Sequence, residues 1–172
     1  VRSPLRNNWE VAVSKPLDVL LITPPSRVQV YQELSRDFAA IEPPVWSGLI
    51  ATFLRQHSCS VAILDAEAEG LNHQQTADRI AAIAPRLAVF VIYGQQPSAS
   101  TQCMPAGRKV CEILTALADI PTLVMGTHPS ALPKRTLLEE PYTYVCQGEG
   151  PTTILGLVIA LRAPQHSLRE VP

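Results

Sequence analysis

Two segments in the last third of the chain carry residues suited to holding a ligand. The apolar run 121–125 passes into Gly126, Thr127, His128, Pro129 and Ser130; the run 142–146 passes into Gln147, Gly148, Glu149, Gly150 and Pro151. Each loop pairs glycine, which lets backbone approach a ligand closely, with polar side chains able to donate or accept. In an open parallel sheet, ligands sit at the carboxyl ends of the strands. Two neighbouring loops of this kind read as one wall of a cofactor site. No residue is assigned a catalytic role.

Other chemistries are poorly served. Cys59, Cys103, Cys111 and Cys146 are scattered, with no Cys-x-x-Cys pair. Zinc and iron–sulfur sites usually draw two ligands from one short turn, so no metal site is expected, and the thiols read as reduced cysteines of a cytoplasmic protein. The net charge of −1 and the absence of a Lys/Arg run beyond Lys134-Arg135 exclude nucleic acid as a main partner, because phosphate neutralisation needs clustered cations. The longest apolar run, 154–161, falls far short of the ~20 residues of a membrane span, so no membrane partner is expected.

The elements that must position these loops follow from periodicity. Five runs rich in branched apolar residues recur at 18–23, 60–65, 87–93, 121–126 and 142–147. Near-continuous hydrophobicity fits strands covered on both faces. Helical faces lie between and after them: Val45, Leu49, Phe53 and Leu54 behind Pro43-Pro44; Ala77, Ile80, Ala81, Ile83 and Ala84 before Pro85; Ala106, Val110, Ile113, Leu114 and Leu117; and Ile154, Leu157, Val158 and Leu161 behind Pro151. This alternation predicts an α/β, three-layer α/β/α sandwich on a five-stranded parallel sheet, Rossmann-like or flavodoxin-like. The fourth connection, 130–140, has room for at most a short helix. The first, 24–42, is long enough to suggest a functional or mobile loop.

Several nucleotide folds find little support in the loops after the strands. A dinucleotide fold needs Gly-x-Gly-x-x-Gly there; the chain has Thr23, Pro24, Pro25 and Ser26. Asp65 imitates a ribose-binding acid but reads as a strand-end cap. The P-loop is absent, a receiver domain would need an aspartate where Tyr93 and Gly94 stand, and two prolines do not make a flavodoxin phosphate loop.

Four loops, taken in order, resemble a different family. They are Thr23-Pro24-Pro25; Tyr93-Gly94 with Ser98, Ser100 and Thr101; Gly126-Thr127-His128-Pro129; and Gly148-Glu149-Gly150. Together, over about residues 17–162, they resemble the cobalamin-binding domain that precedes the barrel of cobalamin-dependent radical S-adenosylmethionine enzymes. The resemblance implies cobalamin lying over the strand ends, with these residues around it. Ser98, Ser100 and Thr101 either hydrogen-bond its tail or amides, or cap a helix. Glu149 either accepts from a corrin amide or ribose, or favours a helix N-terminus. Tyr93 either packs on the ring or fills the strand's end. His128 is read as a loop histidine bonded to backbone or corrin edge rather than a cobalt ligand. The Asp-x-His-x-x-Gly pattern that carries an axial histidine in related domains is absent, because no aspartate has a histidine two residues later. The resemblance therefore implies cobalamin with its own base displaced and no protein imidazole beneath cobalt.

The implied parent is a cobalamin-dependent radical S-adenosylmethionine enzyme of the methyltransferase type, whose barrel holds the [4Fe-4S] cluster, S-adenosylmethionine and most substrate contacts. This chain lacks the Cys-x-x-x-Cys-x-x-Cys signature of that cluster and cannot perform the reaction alone. It begins at Val1 and ends in a loop-like stretch, so the expected organisation is an N-terminal arm (1–16), the α/β domain (17–162) and a linker (163–172) toward the barrel. The alternatives are a cofactor-free structural or docking domain of a larger enzyme, and a flavodoxin-like nucleotide-binding domain. His57, His73 and His166 are expected to be solvated.

Overall fold

A computed structural model describes residues 16–27, 30, 42–93, 99–163, 168 and 171, together with the backbone alone at 97 and 98. All of the expected arm but Pro16, and most of the expected linker, lie outside the described residues. The elements run β1 (Val19–Thr23), α1 (Val45–Gln56), β2 (Val61–Asp65), α2 (His73–Ile83), β3 (Leu87–Val91), α3 (Pro97–Leu117), β4 (Thr122–Met125), α4 (Thr127–Ala131), α5 (Pro133–Glu139), β5 (Tyr144–Val145) and α6 (Pro151–Arg162). All strand pairings are parallel, in the order β2-β1-β3-β4-β5. The predicted α/β sandwich is the observed fold.

Period-two alternation sorts the strand residues onto two faces. Val19, Leu21, Leu87, Val89, Val91, Leu123 and Met125 pack under α1 and α6, against Ile50, Ala51, Leu54, Ile154, Leu157 and Val158. Leu20, Ile22, Ala88, Phe90, Ile92 and Val124 pack under α2 and α3, against Ala77, Ile80, Val110, Cys111 and Leu114. Tyr142 joins the second face, edge-on to Phe90 with ring centroids 5.3 Å apart.

Two segments depart from the expected pattern. The fifth strand is only Tyr144–Val145, at the sheet edge with one neighbour, β4. The fourth connection holds two short helices, divided at Leu132, the C-cap of α4 and N-cap of α5; Pro133 then opens α5.

Below the sheet, at the amino ends of the strands, Asp18 fastens four elements together. Its carboxylate accepts from Arg162 Nε (2.9 Å) and Nη2 (2.7 Å), and from Ser60 N–H (2.8 Å) and O–H (2.7 Å). Arg86 approaches to 3.7 Å. The Arg162 hydrogen bonds outweigh burial and hold the Asp18 carboxyl well below the usual carboxylate range.

Candidate functional site

The strand order 2-1-3-4-5 places the topological switch point between β1 and β3, where connections leave in opposite directions and open a crevice. The turn beyond β1 cannot donate at Pro24 or Pro25. The amides of Ser26 and Arg27 instead donate to Glu67 Oε2, at 2.7 and 2.6 Å, and the Ser26 hydroxyl lies 3.3 Å away. Glu67 stands beyond β2, so two adjacent strand ends are joined. A cleft of about 390 Å³ opens here, lined among others by Thr23, Ser26, Arg27, Trp46, Ser47 and Tyr93. Trp46 and Tyr93 stack with centroids 4.8 Å apart and planes inclined by 20°. Burial first, then neighbouring Cys146 and Glu149, push the Tyr93 hydroxyl upward in pKa. The ends of β3 and β5 thus share one electrostatic neighbourhood.

The rim over β4 is built around Gly126, whose φ is +148°. A Cβ there would overlap the carbonyl of Ile92 and stand 3.0 Å from Ser100 Oγ. The glycine therefore serves close approach between the ends of β3 and β4. Ser100 is buried; its hydroxyl donates to the Ile92 carbonyl at 2.6 Å and accepts the His128 N–H at 3.1 Å. Of the two readings open for Ser100, neither describes this use: the hydroxyl fastens α3 to the end of β3 and the start of α4. Thr101 Oγ1 lies 2.9 Å from His128 Nδ1, so the imidazole is held at its Nδ1 by a side chain rather than by backbone. Within α3, Pro105 lacks the N–H that the Thr101 carbonyl would otherwise receive.

The neighbouring loop is tied to this one by Ser130. Its Oγ accepts the Gly148 N–H at 2.8 Å and lies 3.3 Å from the Gly148 carbonyl. Gly148 (φ +101°) has open space where a Cβ would stand; at Gly150 (φ +90°) a Cβ would meet Met125 Cε at 2.6 Å. Gly150 is the N-cap of α6, with Pro151 in the first turn. Glu149 is exposed beside it.

The residues singled out by sequence thus gather on one side of the sheet. Thr23, Pro24 and Pro25 follow β1; Tyr93 follows β3; Thr101 lies in the first turns of α3; Gly126, Thr127, His128 and Pro129 follow β4; Gly148, Glu149 and Gly150 follow β5. Gly94 and the Ser98 side chain lie outside the described residues. Asp65 is the strand-end cap expected of it, accepting the Ala68 N–H at 3.1 Å. His57 is the exposed C-cap of α1, whereas His73 departs from expectation. It is half-buried at the start of α2, its Nε2 has no hydrogen-bond partner, and burial depresses its pKa. His166 lies outside the described residues.

Sequence reasoning missed Trp46, Ser47 and Glu67 as residues of the cleft, and Ser130 as the tie between loops. The Pro43-Pro44 helix start was a usable signal for the first two. Glu67 had none, because its partner is a turn forty residues earlier. Among the described residues, no cluster of His, Cys, Asp and Glu could hold a metal ion, and no helix is long and apolar enough to cross a membrane.

This architecture has known counterparts. The chain is similar to the radical S-adenosylmethionine methyltransferase TsrM from Kitasatospora setae with tryptophan substrate and a SAM analogue bound. The TM-score is 0.72 at 17% identity, over 92% of this chain and 28% of that one. TsrM with cobalamin and a [4Fe-4S] cluster bound gives 0.68 at 16% identity, over 91% and 26%. The apo cobalamin-dependent S-adenosylmethionine radical enzyme OxsB gives 0.60 at 17% identity, over 90% and 20%. The chain therefore spans between a fifth and three-tenths of those structures. Comparison with curated proteins gave no match. Residues 34–158 match the B12 binding domain; with most of its length inside that match, the chain belongs to the B12 binding domain family.

Proposed function

We propose that this domain is the cobalamin-binding module of a radical S-adenosylmethionine enzyme. The observation that carries the reading is the family match over a parallel sheet whose carboxyl rim gathers the β1, β3, β4 and β5 loops. The residues present fit the group. Gly148 leaves open space at the rim, a polar fringe suits the amides of a corrin edge, and the switch-point cleft has the volume of an ordinary ligand pocket, ~300–1,000 Å³.

In this reading each residue has a role that its surroundings support. Gly148, held by Ser130, keeps the β5 loop low and clear of side chain, so a flat body can lie across it. Thr23, Pro24 and Pro25 border the ring on one side; Gly126, Thr127 and Pro129 border it on the other. Thr101 fixes His128 through Nδ1, which orients the imidazole to meet a corrin amide rather than cobalt. Tyr93 and Trp46 offer an aromatic wall, and Gly94 and Ser98 are assigned to the same site from the sequence alone. Glu149 and Gly150 sit at the start of α6, where an acceptor for an amide or ribose is at hand. With His128 tied to Thr101 at Nδ1 and the axial-histidine motif absent from the sequence, this reading has cobalamin bound with its own base displaced and no histidine in its stead, as the family resemblance implies. When bound, cobalamin supplies a methyl group for transfer.

The partner in this reading is a radical S-adenosylmethionine barrel in the same parent chain, reached through residues 163–172 and carrying the [4Fe-4S] cluster, S-adenosylmethionine and most substrate contacts. Its support is that the similar enzymes contain this domain as a minor part of their length. The four free thiols fit a cytoplasmic protein. Hydroxocobalamin bound to this chain is expected to show a base-displaced absorption spectrum, and the cobalt(II) form an EPR signal without nitrogen splitting. A nitrogen triplet would refute the ligation; an unchanged spectrum of free cobalamin would refute the binding.

A further inference from the structure

Helix α1 opens without the usual acceptors. Its N-cap is Pro44, no side chain caps it, and its first turn contains no acid. The Val45 N–H turns back to the Pro43 carbonyl and the Gly48 N–H to the Pro44 carbonyl. Between them lie the amides of Trp46 and Ser47, two first-turn donors for which a helix supplies no partner. No acid in the first turn offsets the positive end of the macrodipole, an arrangement that favours anions.

An independent observation points to a ligand at the same place. Ser47 is 1% exposed, lines the switch-point cleft, and its hydroxyl oxygen has no hydrogen-bond partner. A buried orphan hydroxyl costs about 1–3 kcal/mol of desolvation. Arg27 Nε, in the same cleft, is likewise buried without a hydrogen-bond partner, and its ion pair with Glu67 Oε1 is long, at 3.9 Å. Two carboxylates share the cleft. Glu67 turns one oxygen to the Ser26 and Arg27 amides, and Glu42 is exposed. The unspent groups are all donors: two amides, one hydroxyl and one guanidinium edge. Beside them stands the flat Trp46–Tyr93 pair.

The geometry points to an organophosphate subsite at the N-terminus of α1. A phosphodiester oxygen accepts from the Trp46 and Ser47 amides and the Ser47 hydroxyl, Arg27 balances its charge, and the aromatic pair flanks the ring attached to it. In the reading above, the phosphate is that of the cobalamin nucleotide loop, and to that extent this inference rests on it. A free nucleotide would present the same chemistry.

The test titrates the wild-type chain, Ser47→Ala and Arg27→Gln with three probes, followed by tryptophan quenching and calorimetry. The probes are hydroxocobalamin; dicyanocobinamide, a corrin without nucleotide or phosphate; and AMP. Each substitution is expected to weaken hydroxocobalamin about tenfold, the effect of one charge-assisted hydrogen bond, and to leave dicyanocobinamide unchanged. Ser47→Ala without ligand should melt no lower than wild type, since it removes an unpaired buried hydroxyl. Equal weakening of both corrinoids, or of neither, overturns the phosphate subsite while leaving cobalamin binding intact. AMP binding that depends on Ser47, with neither corrinoid bound, supports the subsite and overturns the cobalamin reading. Binding of no probe overturns both.

Discussion

Gly126→Ala and Gly148→Ala separate a glycine that holds the fold from one that clears the rim. Both have positive φ, +148° and +101°, so either alanine carries backbone strain of about 1–3 kcal/mol. There the likeness ends. The Gly126 Cβ overlaps the Ile92 carbonyl, which is backbone at the end of β3 and also accepts the Ser100 hydroxyl. Relief requires β3 and β4 to separate at their ends, adding about 1–3 kcal/mol as overpacking does. The Gly148 Cβ meets nothing within 4 Å. Gly126→Ala should therefore lose about 2 kcal/mol more than Gly148→Ala, out of a typical total of ~5–15 kcal/mol. Urea unfolding followed by circular dichroism reads the difference directly. Cobalamin affinity should run the other way, with the larger loss per unit of lost stability at Gly148, where the methyl enters the space left for the ring. Equal stability losses, or a greater loss at Gly148, would refute the assignment.

The Asp18 clasp predicts a pH dependence. Its folded pKa is depressed, so its stabilisation is complete above the ordinary carboxylate pKa of ~4 and is lost as pH falls below it; Asp18→Asn should flatten that acid limb in thermal melts, and an unaltered limb would count against the clasp. Tyr142→Phe removes a buried hydroxyl without a partner and should leave the melting temperature unchanged or raised, by the equivalent of about 1 kcal/mol; marked destabilisation would reveal a partner for that hydroxyl. Glu67→Ala strips the Ser26 and Arg27 amides of their acceptor and should cost about 1.5–3 kcal/mol, with faster hydrogen exchange at those two amides. Wild-type exchange rates there would contradict the bridge between β1 and β2.

What could be read in the sequence was what repeats locally. Branched runs such as 87–91 announce a strand covered on both faces, and prolines 43, 44 and 151 mark helix starts within a residue or two. The rim loops were legible because glycine and polar types cluster there. Their internal wiring was not. Ser100 looked like a tail contact or a cap, yet its hydroxyl joins Ile92 to His128, a pairing set by strand order rather than by spacing. Gly126 looked like clearance for a ligand, yet it clears a neighbouring backbone. His73 looked solvated because helix starts usually are, and only packing buries it. Glu67 and Ser130 act across loops far apart in sequence, and Asp18 reaches Arg162 at the other end of the domain. Such pairs exist only after the sheet has assembled.

The most direct measurement is a cobalt count. The purified chain is saturated with hydroxocobalamin under reducing conditions, desalted, and assayed for cobalt and protein. Cobalamin resting on this rim predicts one cobalt retained per chain in wild type and a clear reduction in Gly148→Ala. A wild-type chain that is folded by circular dichroism yet retains no cobalt would contradict it.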